Sequence, residues 1–113
     1  MEVRYYISDS GHNPVKEWQD GFSDFNTKAR IEARITRLKG GNLSGSKSVG
    51  EGVHELVIDF GPGYRIYFAP HGSEIIMLLC AGSKKRQQSD IMLSKEYWAN
   101  YKSRLSKLKD TTK

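Results

Sequence analysis

The sequence predicts an α+β domain in which two N-terminal helices pack on an antiparallel β-sheet, in the order β-α-α-β-β-β-α. Three observations carry the prediction. Residues alternate with period two at the start of the chain and again over 64–68, and short apolar segments flank the latter at about 53–60 and 74–81. Between these sets, and once more after residue 89, apolar positions recur at helical spacing. The links within the later set, Gly61-Pro-Gly63 and Pro70-His-Gly72, are short enough to demand antiparallel neighbours.

Residues 2–8 place Val3, Tyr5 and Ile7 on one side and Arg4 and Tyr6 on the other, which reads as a strand. Tyr5 and Tyr6 therefore cannot both face inward if only one face is covered. Asn13 is a candidate N-cap, with Pro14 at the first helical position of a short helix ending near Gly21. Ser23 or Asp24 caps a longer helix through Leu38, with Phe25, Ala29, Ile31, Ile35 and Leu38 on its apolar side. Its other side carries Lys28, Arg30, Arg34, Arg37 and Lys39, a face expected to be solvated. Residues 40–52 hold five of the eleven glycines and predict a mobile loop. Strands are expected over about 53–60, 64–69 and 74–81. A last helix over about 89–108 puts Ile91, Trp98, Tyr101, Leu105 and Leu108 on one stripe. The two early helices should cover one face of the sheet and leave part of the other open, partly flanked by the last helix. Residues 1–113 form one domain on length, with 110–113 as a frayed tail.

The formal net charge is +5 and the sequence pI is about 9.4, a balance that favours acidic polymers as partners. Charge is unevenly spread. Residues 84–113 carry nine Lys/Arg against Asp90, Glu96 and Asp110, whereas residues 48–83 have Arg65 alone against four acids. Cys80 lies in an apolar run and reads as a small buried hydrophobe. His12, His54 and His71 are too scattered to make a zinc spacing, so no metal and no cofactor is expected. The polar start, Met1-Glu-Val-Arg-Tyr-Tyr6, lacks the pattern expected of a signal peptide, and no apolar run is long enough to span a bilayer. A cytoplasmic setting without a membrane partner is the expectation. Trp18 and Trp98 read as core residues.

Chemistry concentrates in two segments. On the strand Tyr64-Arg-Ile-Tyr-Phe68, Arg65 and Tyr67 share a face. Lys84-Lys-Arg-Gln-Gln88 follows an apolar strand, and three adjacent cations there repel one another without an anion. An arginine on a rigid sheet beside such a cluster suits phosphate, since a guanidinium stays charged and grips two oxygens.

The segments Lys47-Ser-Val-Gly-Glu-Gly-Val-His-Glu-Leu56, Gly61-Pro-Gly-Tyr-Arg-Ile-Tyr-Phe68, Leu78-Leu-Cys-Ala-Gly-Ser-Lys84 and Gln87-Gln-Ser-Asp-Ile91 together resemble the RelE/HigB-like addiction-module killer proteins. These are toxins of type II toxin–antitoxin pairs in the RelE/ParE superfamily. The resemblance runs from about residue 25 to residue 95. It implies a RelE-like fold and ribosome-dependent cleavage of mRNA by a metal-independent endoribonuclease. It also implies translation and growth arrest relieved by a cognate antitoxin, usually of helix-turn-helix type. The implied partners are thus the antitoxin, ribosomal RNA and mRNA. Arg65 matches the family's phosphate-holding arginine, Lys84 its lysine, and Gln87 and Asp90 the Gln and Asp that come after it. Glu55 and Val57 stand where relatives carry basic residues. Two alternatives stay open: a ParE-like inhibitor of DNA gyrase without nuclease chemistry, or an inactive toxin-derived binding module.

Metal-free RNA cleavage needs a base for the 2′-hydroxyl, a cation for the phosphorane and an acid for the leaving 5′-oxygen. The candidate catalytic residues are Arg65, Lys84, Glu55 and Tyr67; the candidates for RNA or ribosome binding are Lys47, Lys85, Arg86 and Gln87. Glu55 is either the base or only the ion-pair partner of Arg65, provided the register puts them on one face. Tyr67 stacks on a base, donates a proton or packs in the sheet. His54 alternates away from Glu55 and packs. With Arg65 on an open face, its removal is expected to cost no more than about 1 kcal/mol of stability.

Overall fold

A computed structural model describes residues 1–111, with side chains as far as Lys109. The chain forms β1 (Glu2–Tyr5), α1 (Pro14–Asp20), α2 (Phe25–Lys39), β2 (Ser46–Gly50), β3 (Val53–Ile58), β4 (Tyr64–His71), β5 (Ile75–Ser83), a 3₁₀ turn (Lys84–Arg86) and α3 (Gln87–Thr111). The five strands make one sheet in the order β1-β5-β4-β3-β2. The fold is α+β.

The sheet corrects two expectations. It is mixed, because β1 pairs in parallel with β5 while all other pairings are antiparallel. It also holds a strand more than the order β-α-α-β-β-β-α allows, since Ser46–Gly50 pairs with β3. The glycines and serines of this segment read as loop, but an edge strand needs ladder partners on one side only. The turn joining β2 to β3 carries Glu51 at φ 55, between Gly50 and Gly52.

Local chemistry accounts for the helix starts. Asn13 caps α1, its side chain accepting from the Lys16 amide at 3.1 Å, with Pro14 at N1. Asp24 caps α2 through the amides of Asn26 and Thr27. Phe25, expected on the apolar side of α2, is 79% exposed, and Ala29 is exposed too. The apolar stripe is instead Ile31, Ile35 and Leu38. Arg34 is not a solvated cation: its guanidinium donates to the Val57 and Ser44 carbonyls and ties α2 to β3 and the loop before β2. At the other end, α3 starts earlier and runs further than expected. Residues 110 and 111, assigned to the frayed tail, are helical; residues 112 and 113 lie outside the described residues.

Both faces of the sheet are covered. On one side, α1 and α2 enclose Val15, Ile31, Ile35, Leu38, Leu56, Ile66, Phe68 and Leu78. On the other, α3 lies over Tyr6, Val53, Tyr67, Met77, Leu79 and Trp98. This second layer resolves the tyrosine conflict. Tyr5 packs toward α1 and α2 while Tyr6 packs toward α3, where its hydroxyl donates to Asn100 at 2.7 Å. Trp18, partly buried, packs against the first cluster and meets Phe22 and Tyr64 edge-on, while Trp98 is buried in the second. Leu108, expected on the α3 stripe, is 61% exposed.

A register shift between β4 and β5 decides which side chains of β5 meet α3. Tyr67 pairs with Cys80 but Phe68 with Leu78, leaving Leu79 as an inserted residue. Leu79 and Cys80 consequently both face α3. The bulge switches the phase of β5, so that Gly82 also lies on the α3 side, against Asp90.

Candidate functional site

The register places Lys47 opposite Glu55, and Glu55 opposite Tyr67. Arg65 lies opposite Val57, one step further along the same face, so it reaches Glu55 diagonally. Glu55 and Arg65 thus share a face, the condition on which their pairing depended. The first residue of α3, Gln87, closes the group from above.

Glu55 is the centre of this cluster and is fully buried. Its two oxygens are unequal. Oε2 accepts from the Gln87 amide at 2.9 Å and from the Tyr67 hydroxyl at 3.2 Å, and lies 3.5 Å from Arg65 Nε. Oε1 has only the Lys47 ammonium, at 3.7 Å, and accepts no hydrogen bond among the described residues. Arg65 Nε is likewise buried without a hydrogen bond. It is near enough to Oε2 to pair electrostatically but not aligned to donate. The Arg65 side chain is 13% exposed, in contrast to the open placement expected of it. Lys47, by comparison, is 68% exposed and lies over the cluster as a solvent-side arm.

Tyr67 is completely enclosed, which rules out stacking on a nucleic-acid base. Burial, and then the charge of Glu55, push its phenol well above the ordinary tyrosine value. It keeps its proton and acts as a donor to the carboxylate.

The three expected cations separate. Lys84, Lys85 and Arg86 are exposed on the 3₁₀ turn. Among the described residues none forms a hydrogen bond or ion pair with the Glu55 cluster. Lys84 and Lys85, with Pro62 and Ser83, line an open groove of about 630 Å³. Arg86 turns to Asp90, its Nε 3.7 Å from Oδ1. His54 packs beside Phe68, with ring centroids 5.5 Å apart.

Asp90 is the residue whose importance the sequence understated. It is 2% exposed, its Oδ2 has no hydrogen-bond partner among the described residues, and the Cys80 thiol lies 3.9 Å from Oδ1. Burial raises its pKa, with Arg86 opposing. Burial first, and then Asp90, push the Cys80 thiol up to about 12, so Cys80 is an inert interior group. The available signal was an acid in the first turn of a helix, opposite a glycine on a preceding strand.

No helix of the described residues is long and apolar enough to cross a membrane. No family model and no solved structure matches the chain. A protein of Haemophilus influenzae (strain ATCC 51907 / DSM 11121 / KW20 / Rd), described as an uncharacterized protein, is 42% identical over 78 residues, spanning 69% of this chain and 79% of its own length. At that identity and coverage, the chain belongs to the same family as this Haemophilus protein.

Proposed function

We propose that the chain is the toxin of a type II toxin–antitoxin pair, a metal-independent endoribonuclease that cuts mRNA on the ribosome and arrests translation. The observation that supports this reading best is the unequal carboxylate. Glu55 has one oxygen pinned by two donors and one without a hydrogen bond, beside two cations whose own pairing is loose. A structural ion pair of this burial would ordinarily be closed by direct hydrogen bonds. Here the free valence of both partners points to a third participant.

A phosphodiester supplies one. Displacing the exposed Lys47 arm opens Oε1, which takes the proton of the 2′-hydroxyl. The 2′-oxygen attacks phosphorus, and Arg65 and Lys47 stabilise the charge that grows on the phosphorane oxygens. The P–O5′ bond breaks, and Lys84 or water at the open end of β5 returns a proton to the 5′-oxygen. Lys85 holds the strand through its phosphates. The products are a 2′,3′-cyclic phosphate and a 5′-hydroxyl. The partners of this reading are the ribosome with its mRNA and a helix-turn-helix antitoxin, all in the cytoplasm.

A reconstituted translation system tests it. Adding the protein should stop synthesis and produce cut mRNA with 5′-hydroxyl ends, and only when ribosomes are translating. Intact mRNA at inhibitory protein concentrations would overturn the proposal. Inhibition of gyrase supercoiling by the same preparation would then move the reading to a ParE-like inhibitor.

A further inference from the structure

We infer that Gln87 is a positioning residue for Glu55, holding one carboxylate oxygen so that the other faces the substrate; the inference rests on the endonuclease reading. The sequence assigned Gln87 to RNA binding, but its side chain turns inward. Its amide donates to Glu55 Oε2 at 2.9 Å, the shortest contact Glu55 makes among the described residues. The Tyr67 hydroxyl donates to the same oxygen at 3.2 Å. The two donors come from different elements, the first residue of α3 and the middle of β4. Together they fix the rotation of the carboxylate about its last bond, which a single donor would not. Oε1 is thereby directed to the Lys47 side.

The groups facing Glu55 are few and named. Lys47 comes from β2, Arg65 and Tyr67 from β4, and Gln87 from α3, with Asp90 beyond Tyr67. Gln87 and Tyr67 are the neutral donors among them, and Gln87, partly exposed where Tyr67 is enclosed, is the one that can be removed without changing the charge of the site or opening the core. Its loss acts on the orientation of the carboxylate.

The test uses Gln87→Met, which keeps side-chain length and loses the donor. The rate of mRNA cleavage at saturating protein on programmed ribosomes should fall by up to about 10²-fold, as expected of a misplaced base. The concentration for half-saturation should not change. A higher half-saturation concentration with an unchanged saturated rate would overturn the inference and return Gln87 to RNA binding. A lower rate with an unmoved Glu55 carboxyl resonance would also overturn it, as damage to packing alone. The ¹³C carboxyl resonance of Glu55, compared between the free wild-type protein and the variant, reports the contact without catalysis. An unmoved resonance overturns the contact itself. If the wild type cuts no mRNA, the endonuclease reading fails, while the resonance still decides whether Gln87 holds Glu55.

Discussion

Removing the Arg65 guanidinium leaves Glu55 enclosed, with Lys47 the remaining cation within ion-pair distance among the described residues. The expectation that Arg65→Ala costs almost nothing belonged to an open face, and the face is closed. Loss of a buried partner should destabilise by about 1–3 kcal/mol, measurable as a shift in the urea midpoint. Cleavage should fall by about 10²–10³-fold, the usual cost of one preorganised charge at the transition state. Arg65→Lys should recover part of the stability but not the cleavage, because a point charge lacks the two-pronged grip. Full toxicity of a folded Arg65→Ala protein would remove Arg65 from the chemistry. At this scale the sequence was informative where alternation decides. Arg65 and Tyr67 share a face in any strand. What alternation leaves out is depth: the same face can be open or roofed, and α3 roofs it. The contact of Gln87 with Glu55 was hidden for a related reason, since a polar residue beside three cations looks like surface until the helix start brings its amide to the carboxylate.

Between residue and molecule, the contact of β5 with α3 depends on Gly82. A Cβ there would collide with Asp90 Oδ2 and come within 3.2 Å of its Cγ. Gly82→Ala should therefore cost about 1–3 kcal/mol by overpacking. Adding Asp90→Ala should return part of it, a coupling that a double-mutant cycle reads directly. Fully additive losses would show that the collision relaxes elsewhere. Asp90 also gives the pair a pH dependence. Its folded pKa is raised by burial, so its contribution to stability is whole below the unfolded value. That contribution is lost as pH rises through the raised value, and at neutral pH the ionised group is a cost. Asp90→Asn removes the titration. The stability of the variant relative to wild type should therefore be more favourable at pH 7 than at pH 4, by urea unfolding at both. A gap independent of pH would mean that Arg86 already compensates the charge. Neither effect was legible beforehand: it takes the one-residue bulge at Leu79 to put Cys80 and Gly82 on the α3 side, and a bulge leaves no mark on apolar periodicity. The edge strand β2 was hidden differently, by a Ser/Gly composition that resembles a loop.

Across the whole molecule, the +5 charge is distributed so that the buried cluster and the exposed cations do different work. Arg65 is inside, whereas Lys84 and Lys85 stand at the end of β5 beside the Pro62 turn with no ion pair among the described residues. Arg86 belongs to neither group, because it neutralises the buried Asp90. This division selects the variants that separate association from chemistry. Lys84→Ala and Lys85→Ala should weaken binding to programmed ribosomes without disturbing the fold, each lowering the slope of log affinity against log salt by about 0.7 if it meets a single-stranded phosphate. Arg86→Ala is not a clean probe of binding, for it leaves a buried carboxylate without its cation and should destabilise as well. Binding measured at several salt concentrations, with unfolding followed in parallel, distinguishes the three. An unchanged salt slope for both lysine variants would mean that the basic turn takes no part in holding RNA. The acidic partner would then have to be met elsewhere, by Lys47 and the edge strand that carries it.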